Sequence, residues 1–202
     1  MPKIIGGSLH EHREQTRQKL FTALSTLMAE KGFDAISLAD IASAAGVGRT
    51  AVYNHFADKE ALLLGFITHE TEQYVRTLER SLIGVSDPVE QLRTYIRQQA
   101  RLTRVFHLAP GPDLRQVLSR ATRLQLREHI VVVEAILRQI ITAGIAVREF
   151  PAQDVQVTVG LVNACLSGRL VPEEPEARER AIVATEAFVL RAVGARVPVP
   201  AR

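Results

Sequence analysis

Across 202 residues there is one cysteine, Cys165, and no tryptophan, and aromatic residues make up only 5%. A single thiol excludes a disulfide framework within the chain and a cysteine-based metal site. No cofactor or metal is expected. No uninterrupted apolar run approaches the ~18 residues of a membrane span, and Met1 to His10 lacks the apolar stretch of a signal peptide. A cytoplasmic protein with no membrane partner is the expectation. Disorder of the whole chain is excluded too, because 47% of residues are hydrophobic against 23% charged, and the length suits one or two globular domains.

The basic balance, +3 with a pI near 9.3, invites a nucleic-acid reading that its distribution does not support. Residues 1–60 hold seven basic and seven acidic side chains, which cancel. The whole excess lies downstream, where 18 arginines face 15 acids. All four lysines fall in the first sixty residues. Net charge alone does not name a partner.

What is abundant is helical periodicity. Leu20, Phe21, Leu24, Leu27 and Met28 form one stripe within a helix spaced over 11–31, which Gly32 ends. Ser37 is placed to cap a short second helix closing at Gly46, with Asp40 in its first turn. A third helix runs from Arg49 to about Phe56, and Asp58 caps a fourth reaching about Ile83. Further helices are predicted over 89–106, 113–143, 151–170 and 174–193. Ile130–Ile141 is rich in β-branched residues, but its context is too long for a strand. The fold class is all-α.

Residues 37–59, SLADIASAAGVGRTAVYNHFADK, read as a helix-turn-helix. Ala42 must be small where two helices cross closely, Gly46 suits the positive φ of the turn, and Val47 and Val52 point back to a small core. The second helix would offer its N-terminal residues to a DNA major groove. Many helical hairpins share this spacing.

The combination Gly32-Phe33, Ile41-Ala42, Ala45-Gly46-Val47, Tyr53, His55-Phe56 and Lys59, spread over Leu20 to Leu63, resembles the DNA-binding domain of the TetR family of bacterial transcriptional regulators. The resemblance implies a dimer placing two recognition helices in successive major grooves of a palindromic double-stranded DNA operator, ~34–36 Å apart. It implies phosphate contacts from Ser37, Tyr53, His55 and Lys59, and base contacts from Arg49, Thr50 and Asn54. The side chains suit those roles, since Arg pairs bidentately with guanine and Asn with adenine. For Tyr53 and Phe56 a core role is the alternative, and for His55 a satisfied surface histidine. Gly48 stands in the same DNA-facing set where many relatives carry serine. With Ala51 in place of threonine, it removes a cap and a hydroxyl contact.

The implied domains are a helix-turn-helix domain over 10–57 and a helical effector-binding and dimerisation domain over 58–194, with flexible tails at 1–9 and 195–202. A small-molecule effector of unknown identity is implied inside the larger domain. Phe66, Tyr74, Tyr95, Phe106, His107 and Leu137 are candidate lining residues, each with plain core as its alternative. The fourth helix is the natural lever between effector and DNA. Val155, Val159, Val162 and Leu166 form one apolar stripe and Ile182, Thr185 and Val189 another, both assigned to a homodimer interface. Cys165 among them reads as a small buried hydrophobe rather than a redox sensor. Residues 91–133 carry eight arginines against Asp113 and Glu128. Arg93, Arg97, Arg101 and Arg104 share an arc of about 80°, and Arg120, Arg123 and Arg127 make a second stripe. Either stripe is a solvated face or an anion site.

The function that follows is a ligand-responsive repressor. A non-specific architectural or protein-interaction dimer is the alternative, and an enzyme with an appended helix-turn-helix is disfavoured. No GxSxG, phosphate loop, HExxH or paired-cysteine motif occurs.

Overall fold

In a computed structural model, residues 6–106, 118–167, 172 and 174–196 are described, with 6–9, 101–106, 129–130 and 167 known by backbone alone. Every regular element among them is a helix: α1 (Gly6–Lys31), α2 (Leu38–Ala45), α3 (Arg49–Tyr53), α4 (Lys59–Leu82), α5 (Pro88–Phe106), α6 (Arg120–Ala146), α7 (Val155–Ser167) and α8 (Pro175–Ala192). The β-branched run within α6 is helical, as its length requires.

Caps decide most boundaries. Asp58 accepts from the Ala61 N–H at 2.7 Å and opens α4. Asp87 accepts from Val89 N–H at 3.1 Å, with Pro88 filling the first helical position, where its missing donor costs nothing. Glu174 caps α8 with Pro175 behind it. Gly84, with φ 78°, supplies the left-handed residue after α4.

Three boundaries differ from the periodicity. Helix α1 begins at Gly6, so residues 6–9 are helical backbone rather than tail. Helix α6 begins at Arg120, where Ser119 Oγ accepts from Thr122 N–H; the expected start at Asp113 lies outside the described residues. Helix α7 begins at Val155 because Asp154, not Pro151, caps it, accepting from Val157 N–H at 3.0 Å. Ala195 N–H donates to Leu190 O, so the tail begins later than 195.

The chain separates into two compact units, and the division does not fall at residue 57. The first holds residues 6–70, 105–106 and 118–128. Its core joins Leu20, Phe21, Leu24, Leu27 and Met28 of α1 to Ile41, Ala42 and Val52, and to Leu62, Leu63, Phe66 and Ile67 of α4. That α4 stripe is why the first half of α4 belongs here. Glu60 of α4 accepts from Ser119 N–H at 3.0 Å and from the Thr122 hydroxyl, and these bonds hold its carboxyl below the ordinary range.

The second unit holds residues 71–104 and 129–196. Tyr74, Leu78, Leu92, Tyr95, Ile96, Leu137, Ile140, Ile141, Phe150, Val159, Val162, Val189 and Leu190 make its core. Gly144 is required there, because the Phe150 ring occupies the place of a Cβ, only 2.1 Å from it. By length and composition α6 is apolar enough to cross a bilayer. Its Leu137, Ile140 and Ile141 are instead buried in this core.

Candidate nucleic-acid interface

The helix-turn-helix is built by local chemistry. Ser37 adopts an extended backbone before α2, and its Oγ accepts from Asp40 N–H at 3.1 Å while Asp40 Oδ2 accepts from Ser37 N–H at 2.8 Å. This reciprocal capping box satisfies two donors of the helix start. The same bonds, with the Ser37 hydroxyl donating as well, hold the Asp40 carboxyl below its ordinary value. The Ser37 hydroxyl is therefore engaged in the cap, although the sequence assigns it to phosphate. Helix α2 ends at Gly46, φ 64°, and Val47 N–H closes on Ala42 O at 3.0 Å.

Helix α3 follows after Gly48, which offers no side chain to the N–H groups of its first turn. Val52 is fully buried and turns α3 so that Arg49, Thr50, Tyr53 and Asn54 share the opposite, exposed face. Tyr53 is 60% exposed and so is not a core residue. Phe56 is core, with its ring centroid 5.8 Å from that of Phe21. Among the described residues no side chain bonds to Arg49, Thr50, Tyr53 or Asn54, which leaves a guanidinium, two hydroxyls and an amide facing solvent. That set can read base edges and phosphates together.

Lys59 is placed differently. Its ammonium donates to Ile36 O at 2.7 Å, Phe33 O at 2.8 Å and Asp34 O at 3.3 Å, and lies 4.5 Å from the Phe33 ring centroid. Three donors are all an ammonium has, so Lys59 clamps the α1–α2 connection and is not free for phosphate. Nothing in sequence spacing separates a lysine that reaches out from one that folds back. His55 is half-buried, its ring 6.3 Å from that of Phe56. Burial, then the charges of Arg13 and Arg17, push its pKa below the ordinary 6.5.

The effector candidates are core. Phe66 packs in the first unit, while Tyr74, Tyr95 and Leu137 are buried in the second. The Phe106 side chain and His107 lie outside the described residues. Tyr95 accepts from Gln99 at 3.0 Å and donates to Asn163 at 3.3 Å, and Asn163 donates to Glu134 at 3.2 Å. Burial pushes the Tyr95 hydroxyl up to about 12, and that of Tyr74 higher still. Among the described residues the Tyr74 hydroxyl has no hydrogen-bond partner. A separate cleft of about 410 Å³, lined by Ile145, Arg148, Phe150, Gly194 and Arg196 among others, touches none of the four described candidates.

The dimer candidates face inward. Val159, Val162, Leu166, Ile182 and Val189 are buried within the second unit, and Val155 and Thr185 are half-buried. An apolar stripe does not say whether it meets its own core or another chain, and here the core takes it. The opposite faces of the same helices are open and apolar: Val157, Leu161 (67% exposed) and Ala164 on α7, Val183, Ala184 and Phe188 (54%) on α8. Cys165 is half-buried against the core.

The described half of the first arginine stripe is engaged by a carboxylate while staying partly exposed. Arg93 and Arg97 converge on Glu186 of α8, which is only 2% exposed, with Arg93 Nη1 at 3.3 Å and the Arg97 guanidinium bridging both carboxylate oxygens. Arg93 also approaches Glu90 at 3.1 Å. Arg101 and Arg104 side chains lie outside the described residues. Arg120, Arg123 and Arg127 of the second stripe are exposed.

These features define a helix-turn-helix: a capped hairpin with an exposed polar face on its second helix. Residues 20–65 match the family described as bacterial regulatory proteins, tetR family. The chain is 30% identical over 86 residues to the HTH-type transcriptional repressor Rv1474c of Mycobacterium tuberculosis, covering 42% of this chain and 44% of that protein. The chain spans less than half the length of the first curated relatives it matches. Solved structures extend the likeness. The TetR family transcriptional regulator PfmR from Thermus thermophilus matches with a TM-score of 0.68 and 27% identity over 85% of this chain and 97% of that one. FadR from Bacillus subtilis, solved with stearoyl-CoA, shares the fold at a TM-score of 0.70 and 19% identity, covering 90% and 99%.

Proposed function

We propose that this protein is a ligand-responsive transcriptional repressor that binds a palindromic operator as a homodimer. The observation carrying the reading is the α3 face: Arg49, Thr50, Tyr53 and Asn54 are unengaged and exposed opposite buried Val52. Arg49, Thr50 and Asn54 read bases, and Tyr53 and His55 take phosphates, while Lys59 holds the frame. Binding-site selection from random duplex tests this. An enriched palindrome with half-sites about one helical turn apart, ~34–36 Å, is the expected result; a flat selection moves the protein to the architectural alternative.

Dimerisation is assigned to the outward faces of α7 and α8. Contiguous exposed valine, leucine and phenylalanine at helical spacing is the kind of surface a monomer does not leave to water. Leu161→Glu with Phe188→Glu is expected to give a folded monomer by light scattering and circular dichroism. Release by an effector is supported by the buried, unpartnered Tyr74 hydroxyl beside the Tyr95–Asn163–Glu134 chain, a polar interior that a ligand could complete. Relatives of this fold bind stearoyl-CoA and choline.

A further inference from the structure

We infer that Arg13 and Arg17 of α1 form, with His55, a second phosphate-contacting patch of the first unit. The inference rests on the DNA-binding reading and adds residues to it. The formal charges of residues 1–60 cancel with Lys59 counted, and Lys59 is held by carbonyls, so backbone contacts must come from how the remaining cations are arranged. Arg13 and Arg17 are four residues apart, on one face of α1.

Arg17 and His55 meet at one aromatic cluster, and Arg13 lies one turn before Arg17 on α1, its charge felt at His55. The Arg17 guanidinium sits 5.6 Å from the Phe21 ring centroid, the Phe21 and Phe56 rings are 5.8 Å apart, and the His55 ring is 6.3 Å from that of Phe56. The acid nearest Arg17 is Glu14, at 3.9 Å and half exposed, the long end of an ion pair and worth little in water. Among the described residues Arg17 Nε is buried without an acceptor, an unsatisfied donor of the kind native structures complete with a ligand or water. Arg13 is exposed. One guanidinium and an imidazole held against aromatic rings, with a second guanidinium one turn away on α1, match the spread of oxygens along a nucleic-acid backbone.

The charged groups facing His55 are Arg13, Arg17 and Glu14 from α1. His69 of α4 packs on the other side of the cluster, 5.4 Å from Phe21. A bound phosphate offsets the two arginine charges that disfavour the imidazolium. The His55 pKa therefore rises on binding, and affinity increases as pH falls into the range where the bound imidazole takes its proton.

The test uses the full chain and a fluorescein-labelled duplex of about 30 base pairs and mixed sequence, with anisotropy read against salt. Arg13→Gln and Arg17→Gln are each expected to reduce the slope of log K against log salt by about one, equally on all sequences. Arg17→Lys keeps the charge and should keep the slope, which separates a charge role from loss of packing on Phe21. In nuclear magnetic resonance titrations the His55 pKa should rise in Arg13→Gln and rise again when wild type binds duplex. Unchanged slopes in both glutamine variants, while wild type binds, overturn the inference alone. A loss confined to particular sequences also overturns it, since that marks base reading. Failure of wild type to bind any duplex overturns the inference together with the DNA-binding reading.

Discussion

The two units use polar side chains in opposite ways. In the first, they serve the backbone close by: Ser37 and Asp40 cap each other, Asp58 caps α4, and Lys59 holds three carbonyls. In the second, they serve one another across long stretches of chain. Arg93 and Arg97 meet Glu186 about ninety residues away, and Tyr95, Asn163 and Glu134 join three helices. A unit made of caps can present its remaining side chains outward. A unit made of cross-helix pairs depends on how its helices lie against each other, and anything that changes their packing is felt at the pairs.

The sharpest way to break the contrast is Gly144→Ala. Its new methyl would fall on the buried Phe150 ring, and a loss of about 3 kcal/mol in denaturant unfolding is expected from overpacking. Lys59→Ala strikes the first unit and should cost about 2 kcal/mol by leaving carbonyls without their charged donor. Its salt slope for DNA should stay that of wild type; a drop by one would restore Lys59 as a phosphate contact. Glu186→Gln removes one charge from a pair whose arginines are partly solvated, so about 1–2 kcal/mol is expected. A larger loss would show α5 and α8 to be held mainly by that carboxylate. Gly48→Ser is the smallest change and has the opposite sign. A Cβ there meets nothing within 4 Å, and a serine cap should stabilise α3 by a few tenths of a kcal/mol, read as a small rise in Tm.

The same contrast explains what was legible. The caps at Ser37 and Asp58, the Gly46 turn and the buried Val52 all follow from short-range rules, and so did the all-α class. Glu186 was not legible, since nothing near it in sequence says that two arginines from α5 will arrive. The inward faces of α7 and α8 were read as the outer ones because apolar periodicity fixes a stripe without fixing its neighbour. The basic stripe of α5 looked solvated or ligand-seeking for the same reason. Lys59 failed more subtly: its position in the motif was right, and only the direction of a flexible four-carbon stem was not. The Arg13–Arg17 pair carried a faint signal, two arginines spaced four apart on the first helix.

Lys59 also closes a circle. Its bonds to Phe33 and Ile36 span 26 and 23 residues, and α2, the turn and α3 all lie within that span. A chain with a single cysteine has no disulfide with which to fasten such a segment, and the ammonium does it without a covalent bond. The fastening is released whenever the chain unfolds and re-forms whenever it folds. It needs no oxidising compartment, and reducing agents leave it untouched. The reading segment is thus a belt buckled at its base, expected to loosen as one piece.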